Sequence, residues 1–241
     1  MKMTGIASYL INALWLQTFA ISIYSRLPIP VYHGLSKVVA LKKAFYYIGL
    51  DELEGDYLEF GVFQGSSFIS AHKCWKSIGS SHHIPRAFFG FDSFEGVKVR
   101  SEADEHPSWI DGAFEVDFQK VQKRISRSLK GADWKLIQGY LEDTIEGKEA
   151  GELGIGKVAI ALVDVDLGVP AKIALDFIKP SLQEGSIVIF DDYLFYKGSP
   201  DRGEQWAFAE FQRENANFVF RRLFDYGVSG RAFVLSEIRG D

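Results

Sequence analysis

The sequence predicts an α/β fold: a mostly parallel sheet closing on a C-terminal antiparallel hairpin, with a helical extension in front. Three observations predict it. Segments of strand and helix character alternate along most of the chain after residue 56. Strand segments such as Ile187-Val188-Ile189-Phe190 are apolar at every position, the pattern of parallel strands covered on both faces. Two strands, Val158–Asp166 and Ser186–Asp192, run out into paired aspartates, Asp164 with Asp166 and Asp191 with Asp192. Unpaired charge is costly in a core, whereas strand carboxyl ends form the ligand crevice of an open α/β sheet. Four carboxylates there point to a divalent cation, a general base, or both.

The elements follow in order. Gly5–Tyr24 carries no charge and is rich in Leu, Ile, Trp and Phe. Its length reaches the roughly 20 residues that span a bilayer, but Ser8, Asn12, Gln17, Thr18 and Ser22 interrupt it. Three readings stay open: a helix packed on the domain or a second subunit, a helix on a membrane surface, or a signal anchor. Pro28 and Pro30 break it. Leu35–Gly49 has helical spacing and completes an N-terminal extension over residues 1–50. The domain proper, 51–241, begins with a strand at Tyr57–Val62 and a helix at Ser66–Ile78. Ala87–Phe91 is a strand ending at Asp92, and Gly96–Phe114 is a long polar loop. A helix over Phe114–Leu129 places Phe118, Val121, Ile125 and Leu129 on one face. Trp134–Gln138 and Lys157–Val163 are strands, and a helix over Pro170–Ile178 opens on proline. Ser186–Phe190 is the fifth strand and Gly203–Glu214 a helix. Phe218–Phe224 and Ala232–Glu237 form the closing hairpin.

Composition narrows the function classes. A chain of 241 residues that is 47% hydrophobic can bury a sizeable core. A net charge of −5 and a pI of 5.6 point away from nucleic acid. One cysteine, Cys74, excludes internal disulfides and fits a reducing, cytoplasmic compartment, with membrane association open through residues 5–24. Cys74 itself reads as a small buried hydrophobe. There is no H-E-x-x-H, zinc pattern or G-x-S-x-G elbow.

Glycines Gly61 and Gly65 follow the first strand, in Glu59-Phe60-Gly61-Val62-Phe63-Gln64-Gly65-Ser66. They allow a tight turn and close backbone approach. Phe63 and Ser66 occupy the positions where a dinucleotide fingerprint has glycine. At the end of the second strand, Asp92 stands where a ribose would lie and can accept from two hydroxyls; as the alternative, it caps the next turn.

Five stretches occur in order: Glu59-Phe60-Gly61-Val62, Phe91-Asp92-Ser93-Phe94-Glu95-Gly96, Gly139-Tyr140-Leu141-Glu142-Asp143-Thr144, Asp164-Val165-Asp166-Leu167 and Phe190-Asp191-Asp192-Tyr193. Together they resemble the macrocin O-methyltransferase (TylF-type) family, metal-dependent enzymes that methylate sugar hydroxyls of natural products. The resemblance covers about residues 35–211. It implies a Rossmann-like class I methyltransferase fold with a seven-stranded sheet, and S-adenosylmethionine as cofactor. It implies that Glu59, Gly61, Gly65 and Ser66 surround the methionine end of the cofactor, with Asp164 nearby. Asp92 and Ser93 would hold the ribose, and Gly139 and Tyr140 would border the adenine. Asp164, Asp191 and Asp192 would bind magnesium, and Asp166 would be the base. The family usually continues Asp-x-Asp-Leu with Tyr-x-Ser-Thr, whereas this chain has Gly168-Val169-Pro170-Ala171, so a macrolide sugar is not carried over.

The chemistry is consistent with those residue types. A sugar hydroxyl is a poor nucleophile at neutral pH; a hard cation lowers its pKa, and a carboxylate takes the proton. His106, in the long loop, is a second candidate base, against a plain surface histidine. His82 and His83 read as solvated loop residues, and Trp109, Tyr193 and Tyr196 as loop aromatics on which a sugar can stack. The expected partner is a sugar or glycoside acceptor, with a homo-oligomer formed through the N-terminal helix. The rival readings are a membrane-associated methyltransferase of a lipid-linked or cell-surface glycan, and a non-catalytic cofactor-binding or scaffold subunit.

Overall fold

The computed structural model describes residues 14–78, 87–100 and 102–240. His82 and His83, and the first part of the Gly5–Tyr24 segment, lie outside them. The sheet has seven strands in the order β3-β2-β1-β4-β5-β7-β6. Its members are β1 (Asp56–Phe60), β2 (Phe88–Asp92), β3 (Trp134–Gln138), β4 (Val158–Val163), β5 (Ile187–Phe190), β6 (Phe218–Tyr226) and β7 (Gly230–Ile238). The first five pair in parallel, and β7 turns antiparallel against β5 and β6. The alternation of apolar strands and helices gives the parallel part, and the short Gly227 turn gives the hairpin.

Both faces of the sheet are covered. On one side Phe60, Phe91, Val163 and Phe190 pack with Phe177 of α6 (Gly168–Ile178) and with Phe208 and Phe211 of α8 (Gly203–Glu214). On the other, Tyr57, Phe88, Leu162 and Ile189 pack under three helices. These are α2 (Ile29–Leu50), α3 (Ser66–Ile78) and α4 (Phe118–Ser128). Asp117 caps α4 by accepting from the Lys120 amide at 3.1 Å. Short helices α5 (Leu141–Thr144) and α7 (Phe195–Gly198) sit at the strand ends, and α1 (Leu14–Tyr24) precedes α2.

The helix expected over Leu35–Gly49 is longer than its apolar spacing indicated. It starts at Ile29, because Pro30 sits in its first turn, where no intrahelical N–H is needed. The proline break therefore lies between Tyr24 and Ile29. From α2, Leu41, Ala44, Phe45 and Ile48 join the core that covers β1 and β4. Each large side chain among them contributes about 1.5–3 kcal/mol by burial. Cys74 is buried, with its thiol 3.6 Å from the Val38 carbonyl.

Candidate active site

The carboxyl ends of β1 to β5 open on a cavity of about 600 Å³. Gly61, Asp92, Ser93, Gly139 and Tyr140 line one end; Asp164, Asp166, Asp191 and Asp192 line its floor; Trp109, Phe114, Leu167, Pro170 and Phe195 line the other end. The inner face of α2 forms a wall through Ile29, Pro30, His33, Gly34 and Lys37.

The glycine turn works by close approach. Gly61 has φ +90°, and a Cβ there would lie 1.8 Å from the Asp164 carbonyl oxygen. No other residue lets the end of β1 pass the end of β4 so closely. Asp92 organises the same corner. Its Oδ2 accepts from the amides of Val62 (2.8 Å) and Phe63 (2.6 Å), and its Oδ1 from Phe94 (2.6 Å). Oδ1 keeps a second lone-pair direction. Burial raises the Asp92 carboxyl above the ordinary range despite these donors. The capping reading and a wall position thus hold together for this residue.

Glu59, Gly65 and Ser66 do not line the cavity. Glu59 is fully buried beneath the turn and accepts from the hydroxyls of Tyr57 (2.5 Å) and Ser67 (2.6 Å), tying β1 to α3. Burial pushes its carboxyl up to about 7. Gly65 packs against Ile125 of α4, and the exposed Ser66 hydroxyl accepts from Arg124 at 3.3 Å. The strand pattern holds the reason: Tyr57, Glu59 and Gly61 share one face, and only the last reaches the crevice.

The four aspartates divide. One carboxylate oxygen each from Asp164, Asp166 and Asp192 lies within 4.8 Å of the others. Asp191 stands apart, although the resemblance put it among the metal ligands. Val163 pairs with Phe190 in the β4–β5 register, so Asp164 and Asp191 come side by side. Lys37 reaches down from α2 between them, 2.6 Å from Asp164 Oδ2 and 2.7 Å from Asp191 Oδ2. Asp191 Oδ1 accepts from His33 (2.9 Å) and from the Tyr226 hydroxyl (2.6 Å). The Val228 amide donates to His33 Nδ1 at 3.1 Å, which leaves the proton on Nε2 for Asp191. Burial works against its ionisation, yet Lys37 and His33 hold the Asp191 carboxyl below the ordinary range. Asp164, by contrast, is raised by burial and by the neighbouring Asp191 charge.

Asp166 sits in the left-handed region at φ +65°, a costly conformation for a non-glycine residue that clusters at functional sites. Burial pushes its carboxyl up to about 7, although it shares a hydrogen bond with Asp192. Glu204, fully buried on α8, accepts from the amides of Val165 (3.4 Å) and Asp192 (2.9 Å), so one side chain fixes both strand ends.

The loop after β2 folds over the end lined by Trp109, Phe114 and Phe195. Asp104 accepts from the Gly168 amide at 2.8 Å, capping α6 from outside. A Cβ on Gly168 would press on Trp206, at 2.9 Å. The Tyr196 hydroxyl donates to the Asp104 carbonyl at 2.9 Å. His106 is not on the cavity wall: its ring packs among Trp109, Phe195 and Tyr196, and its Nδ1 accepts from the Ser108 amide. Of the three loop aromatics, Trp109 lines the cavity, while Tyr193 packs on Phe190 and Phe233 and Tyr196 is buried.

Sequence reasoning missed His33, Lys37, Asp104, Glu204 and Tyr226. One signal was available: His33 and Lys37 are four residues apart, hence on one face of a helix whose remaining charges, Lys42 and Lys43, come a turn later.

The family model described as Macrocin-O-methyltransferase (TylF) matches residues 32–216. The chain belongs to the TylF family. The TylF match takes in His33 and Lys37 and ends before β6. A curated relative from Streptomyces olivaceus is 8-demethyl-8-(2,3-dimethoxy-alpha-L-rhamnosyl)-tetracenomycin-C 4'-O-methyltransferase. It is 28% identical over 167 residues, which are 66% of this chain and 61% of the relative. The chain thus spans less than two thirds of that relative's length. Among solved structures, the O-methyltransferase NovP superposes with a TM-score of 0.68 at 17% identity, over 83% of this chain and 79% of NovP. CalS11, a calicheamicin methyltransferase, superposes with a TM-score of 0.67 at 21% identity, over 95% and 89%. The fold of this TylF member is therefore the class I methyltransferase fold.

Proposed function

We propose that this TylF member is an S-adenosylmethionine-dependent O-methyltransferase acting on a hydroxyl of a sugar or glycosylated small molecule. The observation that carries the reading is the convergence of Asp164, Asp166 and Asp192 on the floor of a crevice entered by a glycine turn. The curated relative, named as a methyltransferase of a rhamnosyl group, supports the acceptor class.

The body from 51 to 241 holds the cofactor, and α2 of the 1–50 segment completes the acceptor side. Gly61 and Gly139 clear room for the cofactor, and Asp92 with Ser93 receives its ribose beside Tyr140. S-adenosylmethionine supplies an electrophilic methyl group, and displacement requires sulfur, methyl and oxygen in line. Three carboxylate oxygens this close together fit a hard divalent cation such as magnesium, because they are acceptors that otherwise repel. Asp164 and Asp192 would hold it, and it would lower the pKa of a sugar hydroxyl there. Asp166 takes the hydroxyl proton. A carboxyl held near 7 suits a base at neutral pH. Asp191 has a different part from the one the resemblance implied: through His33, Lys37 and Tyr226 it fastens α2 and the hairpin to the site. The apolar Leu167, Pro170, Trp109 and Phe195 exclude water from the acceptor end.

Titration calorimetry with S-adenosylmethionine, with and without magnesium, tests the reading. Cofactor binding is expected in both conditions and methyl transfer only with magnesium. A protein that does not bind the cofactor overturns the proposal, and full turnover in chelator overturns the metal part alone. Asp164→Asn should lose turnover and keep cofactor affinity.

A further inference from the structure

We propose that α1 and the outward face of α2 dock on an anionic lipid surface. Three observations meet in this region. First, α1 is apolar, uncharged and open to solvent on several sides: Phe19, Ile21, Ile23 and Tyr24 are all more than half exposed. Apolar residues all round a helix are normally covered. Second, α2 has two apolar faces. Ala40, Leu41, Ala44, Phe45 and Ile48 face the core, while Val31, Leu35, Val39, Tyr46 and Leu50 form an exposed stripe at helical spacing. The two helices meet where the Tyr24 and Tyr32 rings touch, with centroids 5.5 Å apart.

Third, charge selects the occupant. Residues 1–50 contain Lys2, Arg26, Lys37, Lys42 and Lys43 and no acid; all 32 Asp and Glu of the chain lie beyond residue 50. Arg26, Lys42 and Lys43 are exposed on α2 or the turn before it, with the Lys43 ammonium over the Phe224 ring. A twofold contact between two copies of this face would set Arg26, Lys42 and Lys43 against their own copies, the exposed acids Asp51 and Glu52 lying only at the far end of α2. An anionic headgroup layer pairs these cations and covers the apolar stripe at once. The contact is with the surface: among the described residues no helix is long and apolar enough to cross a membrane. The inner face of α2 lines the cavity, so this one helix would stand between lipid and site.

The test is sedimentation of the full chain with vesicles of phosphatidylcholine alone or mixed with phosphatidylglycerol. Binding is expected to the mixed vesicles, and at least tenfold weaker binding to phosphatidylcholine alone or at high salt. The variants Phe19→Ser with Ile21→Ser, and Lys42→Glu with Lys43→Glu, should each weaken it at least tenfold. Neither pair lines the cavity, so S-adenosylmethionine binding by calorimetry should stay unchanged and report that the variants are folded. A chain that stays in the supernatant with both vesicles overturns the proposal. In that case, a dimer in light scattering that Leu35→Glu splits assigns the face to a second copy. Equal binding to both vesicle types overturns the anionic assignment. The docking does not rest on the methyl-transfer reading: vesicle binding without cofactor binding would sink that reading and leave the surface standing.

Discussion

The two ends of the cavity are built by different means. The end at β1 to β3 is made of backbone: glycine turns, and amides gathered by Asp92. The end at β4 and β5 is made of side chains from distant parts of the chain, with Lys37, His33, Tyr226 and Glu204 all reaching to the aspartates. The first end depends on its glycines and on one side chain, Asp92. The second depends on a charge balance among five acids, Glu204 included, and one lysine.

The largest break is expected at the backbone end. Gly61→Ala forces a Cβ into the Asp164 carbonyl at positive φ. It should cost about 4 kcal/mol or more, a loss read directly by denaturant unfolding. Next comes Asp166→Asn, which should lower kcat about 10²–10⁴-fold with cofactor affinity kept. The pH profile sharpens this. With its carboxyl at about 7, Asp166 is protonated below neutrality, so kcat/KM should fall as pH drops through that range. The Asn variant should lack that limb, and rising magnesium should move it to lower pH. Lys37→Met leaves two adjacent buried carboxylates without their counter-ion. It should destabilise the fold by about 3 kcal/mol, measured as a lower Tm at neutral pH. The smallest effect is expected for Tyr226→Phe. It removes one donor to an ionised Asp191 and should cost about 1.5 kcal/mol. If Tyr226→Phe costs as much as Lys37→Met, the hairpin and not the lysine fastens Asp191.

The same contrast explains what the sequence made legible. β3 and α3 appear with the bounds their patterns indicate, and the glycine turn and both aspartate pairs lie at the crevice as expected. All of these are local signals. The partition of Asp191 from Asp192 needed the β4–β5 register, which no single strand encodes. Glu59 reads as a cofactor residue by its place in a motif, yet it is one residue pair too deep in the strand. Lys37 lies close in sequence to Lys42 and Lys43, and only tertiary packing turns it inward while they face out. Asp104 and Glu204 lay in segments with no motif at all.

The clamp of Asp104 on the first turn of α6 ties the loop after β2 to a helix end. That loop, over one end of the cavity, cannot lift without uncapping α6 and stripping the buried Tyr196 hydroxyl of its acceptor. Opening of that end of the cavity therefore shares a barrier with the fraying of a helix. In the proposed reaction, release of product would then share that barrier.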